Sequence, residues 1–442
     1  MSGREELEKI KEKLKKSLKI LLSVMLVCVI YKLNVIFTAI CMGVAVIVNS
    51  MLLKESEQSR MHLKRFNDIV LYMEQIAYSF KKQPKIRQAL MDAQKVCSEE
   101  IKEIIEEAAV NIDSKMTDRI YEESLKIIQD EYNCKRLRSL HEFIIKIEKH
   151  GGEYENYLNI LLEDIKEWSD RTLLFIKNVG RVKRNVLISI GSTIVTCGFM
   201  AYLIPKEYSY TGHILYQVTS AVVITAMLGV YLLIEWKLNF DWIKEKEVLP
   251  DNIIIQYYLL VEKGYRDKKE LSLLERISYK KAKRSLENEI SKAFPDWVRE
   301  VAINLQNDTV QSAIEESYEN AALALKRPVR KLLIDFEKYP VGIEPYDNFL
   351  REFELPDIKS SIKMFYAINE LGKEQSDKQV DSILDRNNKM AGQAEEMKNK
   401  DMVGTAGMLT AVPMVLGVIK IMTDMILMII VFTSSVSSVM TG

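Results

Sequence analysis

Few residues of this chain are placed to do bond-making chemistry. His62, His141, His150 and His213 are dispersed, and no His-Glu-x-x-His or Gly-x-Ser-x-Gly occurs, which removes the commonest zinc-protease and serine-hydrolase arrangements. No Gly-x-x-x-x-Gly-Lys-Ser/Thr is present, so no Walker A loop cradles a nucleotide phosphate. Cys28, Cys41 and Cys197 lie in apolar runs, Cys97 and Cys134 stand alone, and no Cys-x-x-Cys pairs them, so they read as isolated thiols. Glu99, Glu100, Glu103, Glu106 and Glu107 alternate with lysine as the solvated face of a helix does. These readings imply a protein that is not an enzyme and needs no cofactor or metal. The remaining chemically distinctive pair is Lys420 and Asp424, four residues apart within an apolar run. At that spacing they share one helix face and can pair. An ion pair inside a membrane invites a functional reading, whereas a lysine that snorkels to an interface is the structural one.

The elements that would position such residues are helices. Glycine and proline number only 17 and 9 in 442 residues, and the formal net charge is zero, which argues against a general polyanion binder and against nucleic acid as a partner. The 48 % of hydrophobic residues gather in a few runs between strongly charged blocks. Leu18 to Ile30 and Val35 to Leu53 read as one membrane hairpin, and Val186 to Ile204 and Ile214 to Ile234 as a second. Lysines and arginines flank the spans, while each hairpin loop carries one lysine, Lys32 or Lys206. The positive-inside rule then puts the N-terminus and both charged blocks in the cytoplasm of a multi-pass protein. Val403 to Met440, interrupted by Pro413, Lys420 and Asp424, is compatible with one tilted span or two short ones.

The charged blocks repeat each other. Ile147-Glu148-Lys149-His150-Gly151-Gly152-Glu153 aligns with Ile368-Asn369-Glu370-Leu371-Gly372-Lys373-Glu374 at a shift of about 220 residues. Ile86-Arg87-Gln88-Ala89-Leu90 aligns with Val310-Gln311-Ser312-Ala313-Ile314 at a slightly different one. A repeat of this size reads as two related domains. Phe66, Ile69, Val70, Met73, Ile76, Ala77 and Phe80 describe one apolar helix face before a turn where Pro84 opens the next helix. Phe294, Trp297, Val298, Val301, Ala302 and Leu305 do the same before a turn where Asp308 or Thr309 is the N-cap. Gly152 and Gly372 follow the last periodic residues of later helices, as C-cap glycines do. Each block is thus expected to be a bundle of about five or six helices. The expected organisation is all-α: a basic N-terminus (1–17), a hairpin (18–53), a first bundle (54–184), a hairpin (185–235), a helical connector (236–290), a second bundle (291–402) and a C-terminal membrane region (403–442), with about five transmembrane helices in all.

The hairpin with a polar turn, the Ala89-Leu90 or Ala313-Ile314 step after it, the downstream glycine hairpin and the closing apolar helix resemble the F-domain of type II secretion systems. Inner-membrane platform proteins of type IV pili and of tight-adherence (Tad) pili are related to it. Ala293-Phe294-Pro295-Asp296-Trp297 and Phe353-Glu354-Leu355-Pro356-Asp357-Ile358 are similar to the Tad branch. The resemblance covers about residues 60–205 and 290–435, and the first copy lacks the Phe-Pro opening. It implies a platform in a bacterial cytoplasmic membrane, working with a cytoplasmic assembly ATPase and with pilin or pseudopilin subunits, in contact with lipid and able to form a homo-oligomer. Faces after Gly152 and Gly372 would meet the ATPase, and Lys420 with Asp424 an intramembrane pilin charge. The rival readings are a transporter, for which only the last region offers midplane charges, and a sensor or scaffold. The sensor would be a membrane histidine kinase with His141-Glu142 as phosphoacceptor, but no glycine-rich nucleotide lid follows, and a surface histidine is the plainer reading.

Overall fold

The protein is described here by a computed structural model of residues 3–114, 119–152, 154–203, 209–239, 241, 243, 251–267, 273–305, 309–369 and 373–441. All regular structure among these residues is helical. In chain order the helices are α1 (Gly3–Ile30), α2 (Val35–Lys82), α3 (Ile86–Val96), α4 (Glu99–Ser114), α5 (Ile120–Tyr132), α6 (Lys135–His150), α7 (Glu155–Leu203) and α8 (Ile214–Lys237). They continue with α9 (Asp251–Asp267), α10 (Leu273–Leu305), α11 (Val310–Ser317), α12 (Leu323–Lys338), α13 (Glu344–Asn348), α14 (Pro356–Asn369), α15 (Lys373–Met408) and α16 (Val412–Thr441). The chain divides into two compact units, neither contiguous in sequence: Met1–Lys64 with Thr172–Trp242 and Lys398–Gly442, and Arg65–Arg171 with Ile243–Met397.

The first unit collects the apolar runs. Four helical stretches are long and apolar enough to cross a membrane: Val35–Lys82, Glu155–Leu203, Ile214–Lys237 and Gln379–Ser434. α1 is not among them, because its uncharged run begins only after Lys19 and covers little more than half the hydrocarbon thickness of about 30 Å. α16 is one unbroken helix through Lys420 and Asp424, which decides between the two readings of the C-terminal region in favour of a single helix. Pro413 is tolerated because it stands in the first turn, where its missing N–H would have had no intrahelical partner. Leu409–Ala411 form a 3-10 turn between α15 and α16.

Val24 and Cys28 of α1, Cys41 and Ala45 of α2, and Ala221 and Ile224 of α8 make one internal cluster. Phe175, Val179, Val182 and Val186 of α7, Val230 and Ile234 of α8, and Ala406 of α15 make another. Outside lie Leu22, Ile40, Val195, Val222, Ile419 and Ile426, all more than half exposed. A bundle apolar inside and out suits a hydrocarbon solvent, where helices satisfy their own backbone.

The hairpin loops are tied at one end of this unit by buried Gln217. Its amide donates to the carbonyls of Lys32 (3.1 Å) and Thr211 (2.6 Å), and its Oε1 accepts from the Asn34 N–H at 2.8 Å. Gly198 permits a close approach of helices, since a Cβ there would lie 2.5 Å from Ile30 Cγ2, while Gly43 and Gly191 have open space.

The second unit holds both charged blocks. The predicted faces are its core: Phe66, Ile69, Met73, Ile76 and Phe80 are fully buried, as are Phe294, Val298 and Val301. Each block runs in the same order, a long helix, four shorter ones and a closing long helix: α2 to α7 in the first, α10 to α15 in the second. Thr309 caps α11, its Oγ1 accepting from the Ser312 N–H at 3.3 Å, while Asp308 lies outside the described residues. Pro84 does not open α3. Lys85 is the residue before that helix, and Glu148 on α6 caps it from a distance, accepting from the Ile86 N–H at 2.5 Å. The expected boundary at residue 290 falls inside α10, which runs on through Pro295.

Within the first unit α7 meets the end of the chain very closely. Ser189 Oγ donates to the Thr410 carbonyl (2.8 Å) and the Cys197 thiol faces the Gly417 carbonyl (3.6 Å). A Cβ on Gly417 would sit 2.3 Å from Thr193 Cγ2, and Thr193 is held in place by its own bond to the Ser189 carbonyl at 2.8 Å. Gly417→Val is therefore expected to cost about 1–3 kcal/mol, seen as a lower unfolding temperature in detergent. Thr193→Ser, which removes the obstructing methyl and keeps the hydroxyl, should restore part of that loss; no restoration would place the strain elsewhere.

Candidate functional site

The two segments singled out as partner contacts come together. Gly151 and Gly152 end α6 with φ of 69° and 119°, conformations open to glycine, and Gly151 N–H closes on the Ile147 carbonyl at 2.8 Å. α7 starts three residues later. Gly372 lies outside the described residues, and α15 begins just after it. Asn159, Glu163 and Glu167 on α7 and Asp381, Asp385 and Lys389 on α15 line one open cleft of about 300 Å³. Lys389 is bound to Asp385 at 2.7 Å, so the cleft is predominantly acidic.

The floor of this cleft is an ion cluster that ties the two blocks into one unit. Asp164, 4 % exposed, accepts from Arg136 Nε at 3.0 Å and lies 3.4 Å from Arg299 of α10. Burial works against the carboxylate, but the guanidiniums of Arg136 and Arg299 hold it below the usual range. Arg299 also donates to Asn388 of α15 (2.9 Å) and reaches Asp296 (3.3 Å), which in turn pairs with Lys135. Glu395 of α15 stands 3.7 Å from Arg171 of α7. A Cβ on Gly392 would lie 2.7 Å from Arg171 Nη1, so that guanidinium fills the place of a side chain.

Lys420 and Asp424 pair as their spacing requires, but the pair faces inward. The two are 0 % and 1 % exposed. Lys420 Nζ sits 3.8 Å from the ring centre of Tyr216 on α8, and Tyr210 packs edge-on against that ring at 5.4 Å. A cation over an aromatic face and a carboxylate beside it is a self-satisfied arrangement. Asp424 Oδ2 is the exception, buried without a hydrogen bond. The exposed side chains of α16 from Met414 to Phe432 are apolar, and neither charge is among them.

His141 is not on the surface. It is fully buried, with Nε2 3.0 Å from the Tyr72 hydroxyl and Nδ1 3.1 Å from the Gln129 amide. Because that amide donates to Nδ1, the ring proton belongs on Nε2. Burial lowers its pKa to about 3, and a neutral enclosed ring is closed to a phosphoryl donor. Sequence reasoning missed both this role and the Asp164 cluster. Asp164 carried no local signal, since its partners lie on helices distant in sequence. All five cysteines are buried and free, and no group of ligating residues able to hold a metal occurs among those described.

Two outcomes are expected. Lys420→Met or Asp424→Leu alone strands a buried charge and should destabilise the protein by about 3–5 kcal/mol, whereas the double variant should recover most of that loss; additive losses in thermal unfolding would mean the pair is not coupled. For His141 the unfolded chain takes up its proton near pH 6.5 and the folded chain only near 3. Its contribution is therefore intact above about pH 6.5 and falls by roughly 1.4 kcal/mol per unit below it. Glu300, pushed up to about 7 chiefly by burial, acts in the opposite sense. The stability difference between wild type and His141→Leu isolates the histidine, and it should narrow as pH falls from 7 to 5; parallel curves would refute the assignment. Compared with models of known families, with curated proteins and with solved structures, the chain has no match.

Proposed function

We propose that this chain is the assembly platform of a Tad-like type IV pilus or type II secretion system in a bacterial cytoplasmic membrane. The observation that carries the reading is that each block closes with a long helix, α7 or α15, whose chain leads from charged residues into an apolar span. The contacts of α7 with the 3-10 turn and with α16 support a duplicated architecture, because they join residues 221 and 220 positions apart, the shift of the sequence repeat. On this reading both blocks and the N-terminus are cytoplasmic, as the flanking basic residues require. Work enters from a partner ATPase, since the chain has no phosphate loop of its own.

The acidic cleft between α7 and α15 is the ATPase contact on this view, and its charge calls for a basic surface on the partner. Pilin helices would meet the apolar outer faces of the spans, because Lys420 and Asp424 are enclosed. The platform makes and breaks no bonds. It moves bound subunits by changing its own conformation.

Crosslinking and pull-down from native membranes tests the proposal. Recovery of a secretion ATPase and small pilin-like proteins is expected, and Glu163→Lys with Asp385→Lys should lower the ATPase yield by about tenfold while pilin recovery persists. Capture of a solute-binding protein or a response regulator instead would move the assignment to a transporter or a sensor.

A further inference from the structure

The second unit contains a larger cleft, of about 1060 Å³, that no part of the platform reading requires. Most of its walls come from α9, α10 and α12. α9 lies in the region read from sequence as a connector and has no counterpart in the first block. Four tyrosines line the cleft: Tyr257 and Tyr258 on α9, Tyr279 on α10, and Tyr318 just after α11. Tyr257 stacks on Tyr279 with ring centres 5.5 Å apart, and Tyr258 stands edge-on to Tyr257 at 5.2 Å. The Tyr258 hydroxyl is buried without a hydrogen bond.

Facing this aromatic wall are Lys326, Arg327, Arg330 and Lys331 of α12. Among the described residues none of the four is in an ion pair. Arg327 lies 4.0 Å over the Tyr258 ring and Lys326 5.7 Å from Tyr318. Among the described residues Glu352 is the one carboxylate on the wall, and it forms no ion pair with any of them. Two of the cations occupy the first turns of a helix whose flanking residue, Ala322, offers no side-chain cap. Positive charge there opposes the helix dipole, an arrangement that an anion would relieve. Packing alone does not demand these cations, for α4, at the same place in the order of the first block, is acidic.

We propose that this cleft binds a nucleotide carrying at least two phosphate groups, with the phosphates on the α12 cations and the base among the tyrosines. Guanidinium and ammonium groups suit phosphate, and tyrosine and arginine planes suit a base. The volume lies at the upper end of small-molecule sites, which favours a nucleotide over the flatter footprint of an acidic protein segment. Glu352 is available to accept from an amino or hydroxyl donor of the base or ribose. No hydrolysis follows from this geometry; the ligand would report nucleotide level to the unit that holds it.

Equilibrium binding of ATP, GTP and a cyclic dinucleotide to the full chain in detergent or nanodiscs tests the site. Saturable binding of at least one is expected. Affinity should fall by about tenfold or more in Arg327→Glu with Arg330→Glu, and severalfold in Tyr258→Leu. Both arginines are exposed, so unchanged helical content is expected and serves as the folding control. Tyr258→Phe, which keeps the ring, should bind nearly as well as wild type. Inorganic pyrophosphate should compete only at much higher concentration. The proposal is overturned if none of the three nucleotides binds, if binding survives the charge reversal, or if pyrophosphate competes equally. Displacement by a polyglutamate peptide at equal or lower concentration would also overturn it, in favour of an acidic protein partner.

Discussion

One buried carboxylate ties the two blocks of the second unit to each other. Asp164 belongs to the first block, yet its charge is satisfied by an arginine from each block, Arg136 and Arg299. Taking a carboxylate out of water costs several kcal/mol, so the site is tolerable only with both guanidiniums in place. Since Arg299 also bonds Asn388, the cluster reaches α7, α10 and α15 at once. The two blocks therefore form one compact unit although more than seventy residues, which belong to the other unit, separate them in the chain. The other unit answers to a different constraint. In an apolar solvent backbone groups must be satisfied internally, which leaves helices as its material and confines irregular chain to tied ends such as the loops held by Gln217.

Much of this organisation was legible in the sequence because it is written locally. Periodicity three and four residues apart marked the faces of α2 and α10 that are buried, Gly151-Gly152 marked the end of α6, and Thr309 marked the start of α11. The apolar runs were legible for the same reason: length and the lack of charge are properties of a segment by itself. The features that escaped are those made by partners distant in sequence. Glu148 caps a helix sixty-two residues away, and nothing near Pro84 announces it. His141 looks like any polar residue beside a glutamate until Tyr72 and Gln129 enclose it. The connector region, rich in lysine and glutamate, concealed the wall of a cleft because its tyrosines gain meaning only opposite α12.

The two blocks share an order of helices but have been put to different electrostatic ends. α4 is acidic and α12 is basic, though each stands third in its block. The cleft between α7 and α15 is acidic, the one beside α12 basic. A zero net charge thus conceals two local fields of opposite sign, each suited to a different class of binding partner.

Where α7 meets α15, Arg171 lies against Gly392, and the guanidinium occupies space that any larger residue would need. In a symmetric pair of identical chains a residue on the axis faces its own copy, and arginine would then confront arginine. The crossing here pairs an arginine on one helix with a glycine on the other. Carrying both halves on a single polypeptide fixes their ratio at one to one and makes their association independent of how much protein the cell contains. Such a chain tolerates differences between its two blocks that a self-pairing subunit could not carry, so the two blocks are not interchangeable parts.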